Sequence, residues 1–151
     1  MRQILLTVIL TIFICTTSLA QNGETAQQTE EAIRNTVMNY IEGWYEGKPE
    51  RMEKALHPDL AKRGVQVLPE TGATILIFAS ARNMVEYTRA GYGKLPEEKR
   101  NIEITILDVY KTTASVKVSS AKYIDYAHLI KCDGKWLIVN VLWEFLPKEK
   151  E

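Results

Sequence analysis

Cysteine is nearly missing from this chain: 151 residues hold two, Cys15 and Cys132. Cys15 lies in an N-terminal leader, so the mature chain keeps Cys132 alone and closes no internal disulfide. A reduced, packed thiol is expected there. Histidine is as scarce, with only His57 and His128, which leaves no Cys/His constellation for a metal. No metal or other cofactor is expected. An excess of one charge is lacking too, since 19 basic side chains meet 19 acidic ones, interspersed along the sequence. Without a basic patch there is no electrostatic footprint for nucleic acid or an anionic membrane. Internal repeats and low-complexity stretches are also absent. What remains is an ordinary globular composition, 46% hydrophobic and 25% charged, enough for one domain with one core.

The first twenty residues differ in kind. Arg2 gives a positive start, residues 4–14 form an apolar run, and Ser18-Leu19-Ala20 offers small residues at the −3 and −1 positions. This is the pattern of a secretory signal peptide, with cleavage expected between Ala20 and Gln21 and a secreted or periplasmic destination. The run is about half of the roughly 20 apolar residues that a membrane span needs. Residues 21–28 read as a frayed polar lead-in, although Thr25 and Gln28 have capping-box spacing. Residues 29–147 read as the folded domain and 148–151 as a charged tail.

Within the domain, Ile33, Val37, Tyr40, Ile41, Trp44 and Tyr45 recur at helical spacing until Gly47 and Pro49 stop the helix. A short second helix starts at Pro49, buries Met52, Ala55 and Leu56, and is expected to end at Pro58. Strands follow over residues 63–68 and 74–78. Ser80 caps a third helix that is expected to bury Met84, Val85, Tyr87 and Thr88. Strands return over residues 102–110 and 114–118, where Ala114, Val116 and Val118 alternate with Ser115, Lys117 and Ser119. Helices first and antiparallel strands last, without βαβ alternation, predict an α+β fold.

Residues 123–145 organise the rest. Asp133-Gly134 between two strand-like runs predicts a two-residue type I′ hairpin. Counting outward pairs Cys132 with Lys135, Lys131 with Trp136, and eventually Ile124 with Trp143. Opposed residues share a face, so Ile124, Tyr126, His128, Ile130, Leu137, Val139, Val141 and Trp143 form one side, expected to face the helices. The other side carries Tyr123, Asp125, Ala127, Leu129, Lys131, Trp136, Ile138, Asn140, Leu142 and Glu144. Its large apolar groups, worth roughly 2 kcal/mol each when buried, predict a two-fold dimer through that outer face. A cation–π contact between Lys131 and Trp136 is expected there.

With helix, helix, strand pair, helix and long strands in that order, the chain resembles the nuclear transport factor 2-like (cystatin-like) superfamily. The stretches YIEGWYEGKPERMEKALHPDLAKR and DGKWLIVNVLW narrow the resemblance to the bacterial putative lumazine-binding proteins. That resemblance implies a cone-shaped α+β fold: three N-terminal helices packed on a curved, mostly antiparallel sheet, with a pocket between the layers and frequent dimers through the outer sheet face. The superfamily includes ketosteroid isomerases. By that resemblance Tyr40 falls where those enzymes carry an oxyanion-donating tyrosine, Trp143 at a pocket tryptophan, and Tyr126 near an acidic donor. Gly64 falls at the general base, and a glycine abstracts no proton.

Tyr40, Trp44, His57, Tyr126, His128 and Trp143 are the candidate binding residues, converging on a mostly apolar pocket for a small, partly apolar molecule. Two other readings compete. In one, His128 or His57 acts as a general acid or base with tyrosine donors, as an isomerase, lyase or hydrolase would use it. In the other, His128 is a core histidine satisfied by a tyrosine hydroxyl, His57-Pro58-Asp59 is a local turn, and side chains fill the cavity.

Overall fold

The computed structural model describes residues 24–147; the expected leader and the expected tail over residues 148–151 lie outside the described residues. Helix α1 (Ala26–Glu46) starts inside the stretch expected to fray. Thr25 and Gln28 cap each other reciprocally there, satisfying two otherwise orphaned backbone N–H groups. Gly47 ends the helix at φ 68°, a left-handed position that glycine takes without steric cost. Of the predicted stripe, Ile33, Val37, Tyr40, Ile41 and Tyr45 are buried and Trp44 is half-buried. Helix α2 (Pro49–Ala55) begins at the expected proline but stops at Ala55, because strand β1 (Leu56–Val67) follows without a gap. Pro58, expected to end the helix, instead lies in the irregular part of β1, where the register slips between Leu56 and Ala61. A bulged strand tolerates a residue without a backbone N–H.

After β2 (Thr74–Ala79), Ser80 and Asn83 cap α3 (Ala81–Arg89) reciprocally. Helix α3 buries Met84 and Thr88, while Val85 is half-buried and Tyr87 is exposed. Then come β3 (Glu103–Tyr110), β4 (Thr113–Ser119), β5 (Tyr123–Cys132) and β6 (Lys135–Phe145). The six strands form one sheet in the order β2-β1-β6-β5-β4-β3, antiparallel except for β1 beside β6. The helices cover one face, as the predicted α+β class requires.

The hairpin turns where expected, with Asp133 at φ 49° and Gly134 at φ 77°. Its register also holds from Cys132–Lys135 to Leu129–Ile138. One extra residue, Val139, then bulges out of β6, and His128 pairs with Asn140. Beyond the bulge every partner shifts: Asp125, rather than Ile124, faces Trp143.

The expected sidedness is reversed. Asp125, Ala127 and Leu129 on β5 and Trp136 and Ile138 on β6 point at the helices and are buried. Tyr126 and His128 stand exposed on the outer face. Leu129, Trp136, Ile138 and Asp125 therefore cannot form an outer contact between subunits; of the residues assigned to that side, Asn140, Leu142 and Glu144, all beyond the bulge, do lie on it, with Asn140 bonded to Arg63 and His128. Nor does Lys131 stack on Trp136; its ammonium bonds to Glu24, and the Trp136 backbone carbonyl accepts from Thr36 on α1. The bulge reverses the parity of β6 a second time, which returns Val141 and Trp143 to the inner face.

Sidedness has a direct stability readout. Ile138→Ala is expected to cost about 2–5 kcal/mol as a buried truncation. His128→Ala should stay within about 0.5 kcal/mol as a surface change. Chemical denaturation of both variants decides; a costlier histidine variant would restore the opposite orientation.

Candidate functional site

Between the inner sheet face, α1 and α3 lies a cavity of about 360 Å³. Its interior end is polar. Tyr40 on α1, Lys62 on β1 and Asp125 on β5 are 3%, 7% and 2% exposed, and they meet there. The Lys62 ammonium donates to the Tyr40 hydroxyl oxygen at 2.6 Å and to Asp125 Oδ1 at 2.8 Å. The Tyr40 hydroxyl donates to the same Oδ1 at 2.8 Å. Lys62 and Asp125 are the charged side chains of the lining, so the cavity carries a balanced pair of charges. Burying two ions is costly unless they pair and bond well, and here the phenol supplies the additional bond.

Burial pushes the Tyr40 hydroxyl pKa well above its ordinary value, and the Asp125 carboxylate pushes it further. Tyr40 is therefore a neutral donor at physiological pH. For Lys62, burial lowers the pKa and Asp125 partly opposes it. Tyr123 is raised by burial, an effect offset by the Trp44 indole and reinforced by Asp125.

Aromatic rings wall the rest. The Trp143 ring lies on Gly64, where an added Cβ would overlap the indole, and the Trp44 ring lies on Gly93 in the same way. Glycine at each point permits a side chain to rest directly on backbone. Trp143 also contacts Tyr123 edge-on at 5.4 Å between centroids and holds the Lys62 ammonium 5.1 Å from its ring. At the opening, Tyr87 and Tyr92 stack at 5.5 Å, and Tyr92 is 71% exposed. The gradient runs from buried charge inside to exposed aromatic rings outside.

Tyr40, Trp44 and Trp143 thus reach the cavity as anticipated. His57, Tyr126 and His128 do not. His57 stands at the start of β1, its Nδ1 accepting from the Asp59 backbone N–H at 3.1 Å, which is the local-turn arrangement. His128 Nδ1 is 3.0 Å from the Asn140 amide on the outer face, and Tyr126 stands beside it on β5. Lys62, Asp125, Tyr123 and the aromatic opening went unrecognised in the sequence. A signal for Asp125 existed: β4 pairs Val118 with Asp125, Val116 with Ala127 and Ala114 with Leu129. The clean alternation of β4 settles which side of β5 is inner. Lys62 shares its face with Gly64, two residues on.

Three phenols of the core have raised pKa values: Tyr40, Tyr45 and Tyr123. Each contributes stability in full below the ordinary value of 10.0 and loses it as pH climbs through the folded value. Lys62 runs the other way, because its lowered pKa means a burial cost on the ammonium that is relieved as pH rises toward 10.5. Above pH 10.5 Lys62 has no further relief to give while the phenols still lose stability, so the denaturant midpoint is expected to fall as pH rises beyond 10.5; a midpoint that holds or rises over that range contradicts the assignment.

The fold has solved relatives. A nuclear transport factor 2-like protein of unknown function from Shewanella baltica is 20% identical, with a TM-score of 0.65 over 83% of this chain and 100% of the other. One from Silicibacter pomeroyi is 15% identical, with a TM-score of 0.63 over 81% and 99%. A protein of unknown function with a cystatin-like fold, from Nostoc punctiforme, is 13% identical, with a TM-score of 0.57 over 82% and 95%. At such identities the likeness is one of fold. No curated protein matches the chain. The family model described as "Putative lumazine-binding" matches residues 28–144, a span from the first turn of α1 to the end of β6 that takes in Tyr40, Lys62, Asp125 and Trp143, and the chain belongs to that family.

Proposed function

We propose that the chain binds a small, flat, partly apolar molecule in the cavity beneath α1 and α3. The carrying observation is the cavity's composition: about 360 Å³ walled by aromatic rings, with one buried polar cluster at its interior end. A mostly apolar concavity with few convergent polar groups is the usual form of a small-molecule site. Faces of Trp143 and Trp44 supply stacking area, and Lys62 supplies a donor that orients the ligand. The family's name points the same way, toward a small molecule. Histidine-based catalysis loses its geometry, since both histidines lie away from the cavity, and Gly64 is covered by an indole.

Naphthol, a flat bicycle with one polar group, is a suitable probe. It is expected to quench tryptophan fluorescence with saturable micromolar affinity, roughly −8 kcal/mol. Gly64→Val, which evicts the Trp143 ring, should weaken that binding about tenfold or more while the circular dichroism spectrum is kept. Unsaturable quenching, or equal affinity in the variant, would place the ligand elsewhere.

We also infer a two-fold dimer through the outer sheet face, carried by Leu142 of the expected contact and by Tyr126, which turns out to face outward. Tyr126 and Leu142, paired across β5 and β6 on that face, are 46% and 44% exposed. Such apolar groups on one sheet face suit an isologous contact. Light scattering should return twice the chain mass for the wild type and a monomer for Leu142→Glu; a monomeric wild type ends this reading.

A further inference from the structure

We propose that the Lys62 amine captures aldehydes or ketones carried on flat apolar molecules by forming an imine inside the cavity. This deepens the binding reading and rests on it. It names a substrate class, carbonyl compounds, and an atom, Lys62 Nζ.

The placement of the residues carries the inference. Among the described residues Lys62 is the one amine in the cavity lining, which is otherwise aromatic and aliphatic apart from Asp125. Of its three N–H donors, two go to Tyr40 and Asp125, and no third protein acceptor is found among the described residues. The half-buried seam between α1 and α2 pairs its charges with an arginine instead. Arg51 on α2 forks to Glu42 at 2.5 Å and Glu46 at 2.8 Å, holding the two helices together. Arginine suits that task because its charge is permanent and its geometry bidentate, whereas a lysine can give up its proton when buried. At the cavity end the chain has the cation that can become a nucleophile. Burial moves the Lys62 pKa in the direction that favours the free amine.

The neighbours suit the proton transfers. Asp125 Oδ1, at 2.8 Å, takes a proton from the ammonium. The freed lone pair attacks the carbonyl carbon; a C–N bond forms and the C=O π pair moves to oxygen, which takes the proton back from Asp125. Nitrogen then releases a second proton to Asp125. That proton goes to the carbinolamine hydroxyl as the C–O bond breaks and water leaves. The product is an iminium ion on Lys62 opposite an Asp125 carboxylate. In sum, carbonyl plus ammonium gives iminium plus water, and Asp125 ends as it began. The buried charge pair survives the reaction, so no ion is left unpaired in the product. Tyr40, held as a phenol, lies 2.6 Å from the same nitrogen and can donate to the oxygen that develops charge.

The test uses the intact protein, naphthaldehyde and sodium cyanoborohydride at neutral pH, with peptide mapping by mass spectrometry. One naphthylmethyl group is expected on Lys62, installed roughly tenfold faster than on any other lysine of the chain. Naphthol, which forms no imine, should slow it by competition. Lys62→Arg keeps a cation beside Asp125 and should abolish the fast label, with circular dichroism reporting its fold. Label spread evenly over surface lysines of the wild type overturns the proposal without recourse to any variant. Naphthol binding without fast labelling leaves the cavity reading standing and removes this one; failure of both removes both.

Discussion

A lysine ammonium, a carboxylate and a phenol within hydrogen-bond reach of one another hold the helical layer to the sheet. Tyr40 comes from α1, Lys62 from β1 and Asp125 from β5, so the cluster spans β6, which separates the two strands. Each member depends on the others. Without Asp125 the ammonium would be an unpaired buried charge, and removing one partner of such a pair costs about 3–5 kcal/mol. Without Tyr40 the shared oxygen would lose one of its two donors. A polar centre this interdependent specifies one arrangement of α1 over the sheet, which apolar packing alone does less sharply.

The cavity follows from that arrangement together with two glycines. In the ladder, Trp143 lies between Gly64 on β1 and Asp125 on β5. With no side chain on Gly64, the indole can lie over β1 while its other neighbours, Tyr123 and the Lys62 ammonium, stay in contact. Gly93 gives Trp44 the same seat. Both walls are thus aromatic faces resting on backbone, and the space between them is closed at one end by charge. Ion pairing and space for a ligand come from the same set of residues. For that reason a structural account of Lys62 and a functional one need not compete.

One residue, Val139, decides which side chains share that space. Along a strand, facing alternates strictly, so a single extra residue changes the facing of everything beyond it. The hairpin's turn and near register follow from Asp133-Gly134 alone. Both of its faces carry large apolar groups, and Asp125 counts against its own side unless its partners are known. Lys62 is 63 residues away in sequence, so local pattern cannot supply that knowledge. The alternation of β4 does carry it, once β4 is paired with β5.

By itself the sequence determined what depends on short-range stereochemistry and period. That covers the caps at Ser80 and Gly47, the start of α2 at Pro49, the I′ turn and the α+β class. It also showed three of the cavity's aromatic residues, Tyr40, Trp44 and Trp143, the last because two errors of parity cancel at the bulge. Only the tertiary structure decided the inside of the sheet, the placing of both histidines away from the cavity, and the charged end of the cavity. The physical reason is that a buried ion pair is stable only when residues distant in the chain meet, and nothing in the neighbourhood of either ion announces its partner.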